Sequence, residues 1–328
     1  MRYAGCLLDC GSMSRPRRLV FGEVADAYDR HRPAYPPELI DDVIAAAHAA
    51  ADGTPAARAL EIGAGTGKAT AMLAARGVSV LALEPSAEMA AVARRNLSDA
   101  TGVEIVESDF ERFDPGAERF GLVYAAQSWH WIDPQRRYAL ARRALADDGI
   151  LALFWNRPVW AQSELRSALR DVYRRVVPQL PADGPLHPAN TTDSHEEDWI
   201  AEIDGVPEFT APRQDNYAWH ADYGTVEYVG LLGTLSETRL LAAPTREQLL
   251  DAVGETIEAL GDGLLQMPMV TRLCLARPVS GSARDPERQG QGPRDPERQA
   301  PRDPERRRVA QPPPIRPTGR PAAGADGP

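Results

Sequence analysis

The stretch Ala59-Leu-Glu-Ile-Gly63-Ala-Gly65-Thr-Gly67-Lys68 decides how this chain is read. A short apolar run carries an acid, Glu61, at its end. Glycines follow at alternate positions, Gly63, Gly65 and Gly67, and a helix-forming run from Ala69 to Arg76 comes next. The order is strand, tight turn, helix. Glycine lacks a Cβ, so the turn can take unusual dihedrals and a ligand can lie directly on the backbone. The helix that follows presents unpaired N–H groups to such a ligand. The segment therefore predicts a site for a nucleoside-bearing cofactor.

Spacing separates the cofactors that use loops of this kind. A dinucleotide turn is G-x-G-x-x-G, but Lys68 stands three residues after Gly65. A phosphate loop is G-x-x-x-x-G-K-[ST]. Gly67-Lys68 matches its end, yet Ile62 stands where its first glycine belongs and Ala69 replaces the hydroxyl. The remaining pattern, E-x-G-x-G-x-G, resembles motif I of the class I S-adenosylmethionine-dependent methyltransferases. The resemblance implies that Glu61 lies near the methionine end of the cofactor, with Gly63, Ala64, Gly65 and Gly67 beneath it.

Two further strands end in matching chemistry. Val78-Ser-Val-Leu-Ala-Leu-Glu84 reads as a buried strand closed by a carboxylate, 17 residues after Gly67. An acid about 20 residues past the glycine turn accepts ribose hydroxyls in doubly wound folds. Glu84 suits that task, although Pro85-Ser86 also opens a helix, where acids are favoured. Val103-Glu-Ile-Val-Glu-Ser-Asp109-Phe110 repeats the theme. The resemblance assigns Asp109 and Phe110 to the adenine amino group and ring; alone, an Asp after a strand is commonly a turn residue.

Alternating βα units predict a parallel sheet with helices on both faces. Strands are expected at Ala59–Ile62, Val78–Glu84, Val103–Glu107, Phe120–Ala126 and Ile150–Trp155, with Asp147-Asp-Gly149 as a turn. Helices are expected at about 24–32, 38–51, 69–76, 86–97 and 134–145. Residues 158–204 are charged and helical in pattern, with prolines at 178, 181, 185 and 188 as breaks. An extended segment at 206–217, helices at 225–234 and 245–260, and a strand at 270–276 complete the reading. The fold class is thus a doubly wound, Rossmann-like, mostly parallel α/β sheet. The resemblance adds a C-terminal antiparallel strand beside the fifth.

The 328 residues are 43% hydrophobic, enough for a substantial core. The formal charge of −10 argues against general affinity for nucleic acid. Cys6, Cys10 and Cys274 offer no disulfide framework, and C-x₃-C without a nearby His or Cys cluster makes no zinc site. No apolar run reaches the roughly 18–20 residues of a membrane span, and no signal-peptide apolar region is present. A cytoplasmic protein is expected. Residues 1–20 read as a flexible leader, with Met13 an alternative start. Residues 21–280 form the catalytic domain. Residues 281–328 repeat Arg-Asp-Pro-Glu-Arg at 284, 294 and 302, and read as a disordered tail. The tail carries +3, which leaves −13 for the rest.

The likeness narrows on the acceptor side. Phe21-Gly-Glu-Val-Ala-Asp-Ala-Tyr28-Asp-Arg30-His-Arg32-Pro-Ala-Tyr35-Pro resembles the N-terminal cap of small-molecule methyltransferases of the trans-aconitate type. Gln127-Ser-Trp129-His130-Trp131, Leu153-Phe-Trp155-Asn156-Arg157 and Tyr228–Thr234 resemble further segments of that group. The resemblance spans about residues 21–277. It implies Gln127 and Pro85 at the cofactor, and Tyr28, Arg32, Tyr35, Trp129, Trp131, Trp155 and Asn156 around the substrate. Arg32 could pair with an acceptor carboxylate. His130 could be a base, a positioner or a structural residue. The implied reaction moves a methyl group to a small-molecule carboxylate, hydroxyl or amine, with no metal. A non-catalytic cofactor-binding protein and a methyltransferase for a macromolecule are the alternatives. Oligomeric state stays open.

Overall fold

The computed structural model describes residues 25–51, 58–180 and 199–279. The leader and tail, with Cys6 and Cys10, lie outside the described residues, as do the prolines at 181, 185 and 188. The first compact unit runs from Met1 to Ser282; the second, Ala283–Pro328, falls wholly among residues not described.

The chain opens with two helices, α1 (Ala25–His31) and α2 (Pro37–Ala50). It then alternates β1 (Ala59–Ile62), α3 (Lys68–Ala74), β2 (Val80–Leu83), α4 (Ala87–Asn96), β3 (Val103–Val106), β4 (Phe120–Ala126), α5 (Arg137–Ala144) and β5 (Leu145–Pro158). A mostly helical second half follows: α6 (Glu164–Val176), α7 (Trp199–Asp204), β6 (Arg213–Gly224), α8 (Thr225–Gly233), α9 (Ser236–Arg239), α10 (Ala243–Gly261) and β7 (Leu264–Ala276).

The seven strands lie in the order β3-β2-β1-β4-β5-β7-β6. The first five are parallel, and β7 runs antiparallel to both β5 and β6. Every residue of β1, β2 and β4 is buried. Central strands of a parallel sheet are covered on both faces and so read as continuous apolar runs rather than alternating ones. One face packs Leu60, Leu81 and Val123 against Tyr138 and Ala141 of α5 and Trp199 of α7. The other packs Ala59, Val80 and Leu122 against Leu39 and Val43 of α2 and Leu73 of α3. A third cluster joins Leu169, Tyr228, Val253 and Ile257 of α6, α8 and α10 to Met267 and Met269 of β7.

Three expectations are corrected. Asp147-Asp-Gly149 is not a turn before the fifth strand but a bulge within it, where the register slips between Phe120 and Leu122. The final strand starts at Leu264 rather than at Val270, and Pro268 pairs with His220 inside the ladder. The extended segment at 206–217 is shifted: the strand runs from Arg213 to Gly224. Its alternation of exposed with half-buried or buried residues places Tyr217, Trp219, Ala221 and Tyr223 inward. Such a period of two marks an edge strand with one wet face. Helix α9 was not foreseen. Among the described residues, no helix is long and apolar enough to cross a membrane.

Candidate functional site

The strand order reverses between β1 and β4, and in doubly wound sheets a crevice opens there, outside the carboxyl ends of the strands. A cavity of about 460 Å³ lies at this point. Glu61, Glu84 and Asp109 all line it, delivered by β1 and by the ends of β2 and β3.

The glycine turn floors the cavity. Gly63 has φ of 71° and lies against Ser128, whose Cβ would be 2.6 Å from any added Cβ. The Ser128 hydroxyl donates to the Ile62 carbonyl, so the ends of β1 and β4 are clasped together. Gly65 has φ of 59°, and a Cβ built there would lie 4.0 Å from the Tyr28 ring. Its N–H donates to Glu84 Oε2 at 2.7 Å, while the N–H of Ser86 donates to Oε1 at 2.9 Å. An ionised carboxylate has about four acceptor sites, so Glu84 keeps capacity for a diol. Burial raises the proton affinity of Glu84, and these two N–H groups oppose it.

Glu61 is buried more deeply. The hydroxyls of Thr70 and Tyr124 both donate to its Oε2, the latter at 2.8 Å. Burial pushes its pKa up to about 7 against the pull of those two bonds, and the charge of Glu84 adds to the rise. Asp109 pairs with Arg112 at 3.5 Å, and Phe110 is buried beside it in the core of one sheet face. Pro85 and Ala64 also line the cavity. Gln127 takes φ of 62° while its N–H donates to Phe154 O at 3.0 Å. A left-handed non-glycine residue costs roughly 1–2 kcal/mol, and such strain concentrates at functional sites.

His130 and Trp131 border the cavity from a short 3-10 turn, with their rings 4.7 Å apart. Tyr28, Arg32 and Tyr35 cover it from α1 and the loop after it. Arg32 donates through Nε to Thr234 Oγ1 at 3.0 Å and through Nη2 to Thr234 O at 3.4 Å, and its guanidinium lies over the Tyr28 ring at 5.1 Å. It thus acts as a strut from α1 to the end of α8, with two N–H groups already engaged. Leu235, Ser236 and Glu237 at the start of α9 also line the cavity.

Four expected site residues lie elsewhere. Trp129 is fully buried against Tyr138, with its ring 5.3 Å away and Arg137 stacked over it, because this side chain turns under the sheet rather than toward the cavity. Trp155 packs edge-on to Trp199 at 4.0 Å in the same core. Asn156 accepts from Thr271 at 2.6 Å and donates to Ala34 O at 2.9 Å. It therefore holds the loop that carries Tyr35 rather than facing the cavity. Gly67 caps α3 at φ of 85° and packs on Leu97, just after α4. Lys68, Thr66 and the 235–237 segment do line the cavity but were not singled out. The match of Gly67-Lys68 with the end of a phosphate loop was the available signal for it; nothing local marks residues 235–237.

Residues 60–153 match the model of a family described as a methyltransferase domain. Over this range the chain carries a methyltransferase domain. Uncharacterized methyltransferases of Mycobacterium bovis and Mycobacterium tuberculosis are each 39% identical to it over 142 residues, 43% of this chain and 54% of theirs. The chain thus spans about half the length of these relatives. A malonyl-[acyl-carrier protein] O-methyltransferase of Geobacter sulfurreducens is 34% identical over 105 residues, 31% of this chain and 39% of that one. A solved structure from Anaeromyxobacter dehalogenans, proposed as a type II methyltransferase, shares the fold with a TM-score of 0.51 at 20% identity, covering 75% of this chain and 97% of its own. The matched methyltransferase domain contains Glu61, Glu84, Asp109, Gln127 and His130. The residues that close the cavity, Tyr28, Arg32, Tyr35 and 235–237, lie outside the matched range.

The cavity fits the cofactor of that family. Thr66 Oγ1 is buried at its edge with no hydrogen-bond partner among the described residues. A buried hydroxyl left unpaired costs on the order of 1–3 kcal/mol, and a polar ligand can relieve it. Gly63 and Gly65 leave a Cβ-free floor on which a nucleoside can rest.

Proposed function

We propose that this protein transfers a methyl group from S-adenosylmethionine to a small-molecule acceptor. One observation carries the reading: carboxylates from three successive strands converge on one cavity floored by the glycine turn. When bound, the cofactor supplies a methyl group activated on a sulfonium. In this reading Glu84 accepts the ribose hydroxyls, Asp109 and Phe110 hold the adenine, and Glu61 faces the methionine end. The Gly63–Gly65 backbone lies against the ligand, beside Ala64, Pro85 and Gln127. Tyr28 and Tyr35 exclude water, and Arg32 holds the α1 cover down on α8.

The acceptor lies toward His130 and Trp131. Trp131 supplies an apolar wall. His130 orients the acceptor, or takes its proton when the acceptor is a hydroxyl or amine; a carboxylate needs only alignment and desolvation. A cavity of about 460 Å³ supports a small acceptor, within the roughly 300–1,000 Å³ usual for small-ligand sites. The charge of −10 disfavours a nucleic-acid substrate. Replacing His130 with Ala is expected to lower kcat/KM at least about tenfold while cofactor affinity is kept. Steady-state kinetics beside calorimetry separates the two; unchanged turnover would remove His130 from the reaction.

Glu84→Ala is expected to weaken S-adenosylhomocysteine binding by about 1–3 kcal/mol, the scale of a lost charged hydrogen bond. Isothermal calorimetry reads this directly, and equal affinities would free Glu84 of the ribose role. The reaction itself is tested by incubating the protein with methyl-labelled S-adenosylmethionine and a fractionated metabolite extract. Label in a small molecule supports the proposal. Label in RNA or protein, or no labelled product, contradicts it.

A further inference from the structure

Lys68 is the one lysine in the chain. It opens α3 directly after the last glycine of the turn, lines the cavity and is half-buried. Its ammonium has Asp29 of α1 as an ion-pair partner at 3.9 Å, longer than a hydrogen bond, and both side chains are 26% exposed. Among the described residues no acceptor forms a hydrogen bond with it. Burial lowers its proton affinity, and Asp29 opposes that shift.

The charges around the cavity are uneven. Five carboxylates line it, Glu61, Glu84, Asp109, Glu111 and Glu237, against one ammonium, Lys68, and one guanidinium, Arg32. Arg32 is spanned across to Thr234. A ligand that carries a carboxylate would be repelled by most of this surface, and Lys68 is the cation with donors to spare. Its position also matters. Glu61 is tied to α3 through Thr70, two residues beyond Lys68. The cavity thus offers both a carboxylate, Glu61, and an ammonium, Lys68, as an amino-acid zwitterion requires.

We infer that Lys68 recognises the carboxylate of the cofactor's amino-acid end, opposite the ammonium that Glu61 faces. The inference rests on the cofactor reading above. An ammonium has three donors, so the ligand carboxylate can bind while the longer attraction to Asp29 persists. That attraction in turn draws α1, with Tyr28, toward the loaded cavity.

Two ligands separate this role from a structural one: S-adenosylhomocysteine, which carries the amino-acid end, and 5′-methylthioadenosine, which lacks it. Lys68→Met is expected to bind S-adenosylhomocysteine about tenfold more weakly, a conservative value for a partly exposed charged hydrogen bond. Its affinity for methylthioadenosine should stay within about twofold. Lys68→Arg retains the charge and should restore most of the loss. Equal losses for both ligands, or an unchanged affinity for S-adenosylhomocysteine, would overturn the inference. Should the Met variant not fold, Asp29→Asn decides: removing the competing acid should tighten S-adenosylhomocysteine by about threefold, and no change or a loss would count against Lys68. Wild-type protein that binds neither nucleoside removes the cofactor reading itself, and this inference with it. Wild-type protein that binds both with equal affinity overturns only the inference.

Discussion

Gly63→Ala abolishes S-adenosylhomocysteine binding and lowers the unfolding free energy by about 2–4 kcal/mol. Two costs add. The backbone at Gly63 sits at φ of 71°, where a side chain costs roughly 1–2 kcal/mol. The new methyl would also meet Ser128 Cβ at 2.6 Å, and overpacking of this kind costs typically 1–3 kcal/mol. Ser128 cannot easily retreat, since its hydroxyl donates to Ile62 O and its neighbour Gln127 is tied to Phe154. The strain would splay the clasp between β1 and β4, moving the floor of the cavity away from Glu84. Urea denaturation and calorimetry on the same sample read both effects. A variant as stable as wild type, with intact affinity, would show that this turn does not shape the site.

Glu61→Gln relieves a penalty that grows with pH. Burial raises the Glu61 carboxyl from its ordinary 4.5 to about 7. Between those values the folded protein holds a proton that the unfolded chain has released, so stability falls as pH rises through this window. The group's contribution is full below pH 4.5 and is lost as pH passes about 7. The whole effect amounts to about 3 kcal/mol. Glutamine keeps an oxygen for Thr70 and Tyr124 and cannot ionise. Measured without ligand, wild type should lose up to about 3 kcal/mol relative to the variant between pH 4.5 and pH 8. Urea denaturation across that range provides the comparison. Parallel stability curves would mean that Glu61 titrates as an ordinary surface carboxylate.

The glycine turn and the acids at the strand ends were legible because their chemistry is local. A strand end, a φ-permissive turn and a carboxylate need only a few neighbouring residues to be recognised, and the parallel sheet follows from the alternation. The tryptophans were not legible in the same way. Trp131 and Trp129 are two residues apart on one 3-10 turn, yet one borders the cavity and the other fills the core under α5. Packing against Tyr138 and Arg137 decides between them, and those residues come from a later helix. Asn156 likewise follows a strand, but a chain of bonds from Trp219 through Thr271 directs it to Ala34. The cover over the site depends on contacts far apart in sequence, such as Arg32 with Thr234, 202 positions away. The edge strand β6 was misplaced; it runs on to Gly224, and its polar His220 and Asp222 belong to its exposed face.

The central claim is that the hollow at the ends of β1, β2 and β3 is built for an adenosyl sulfonium. Calorimetric titration of S-adenosylhomocysteine into the full chain tests it most directly. The account predicts saturable binding at one site, weakened in Glu84→Ala by about 1–3 kcal/mol. A folded protein that gives no binding signal at millimolar ligand would contradict it.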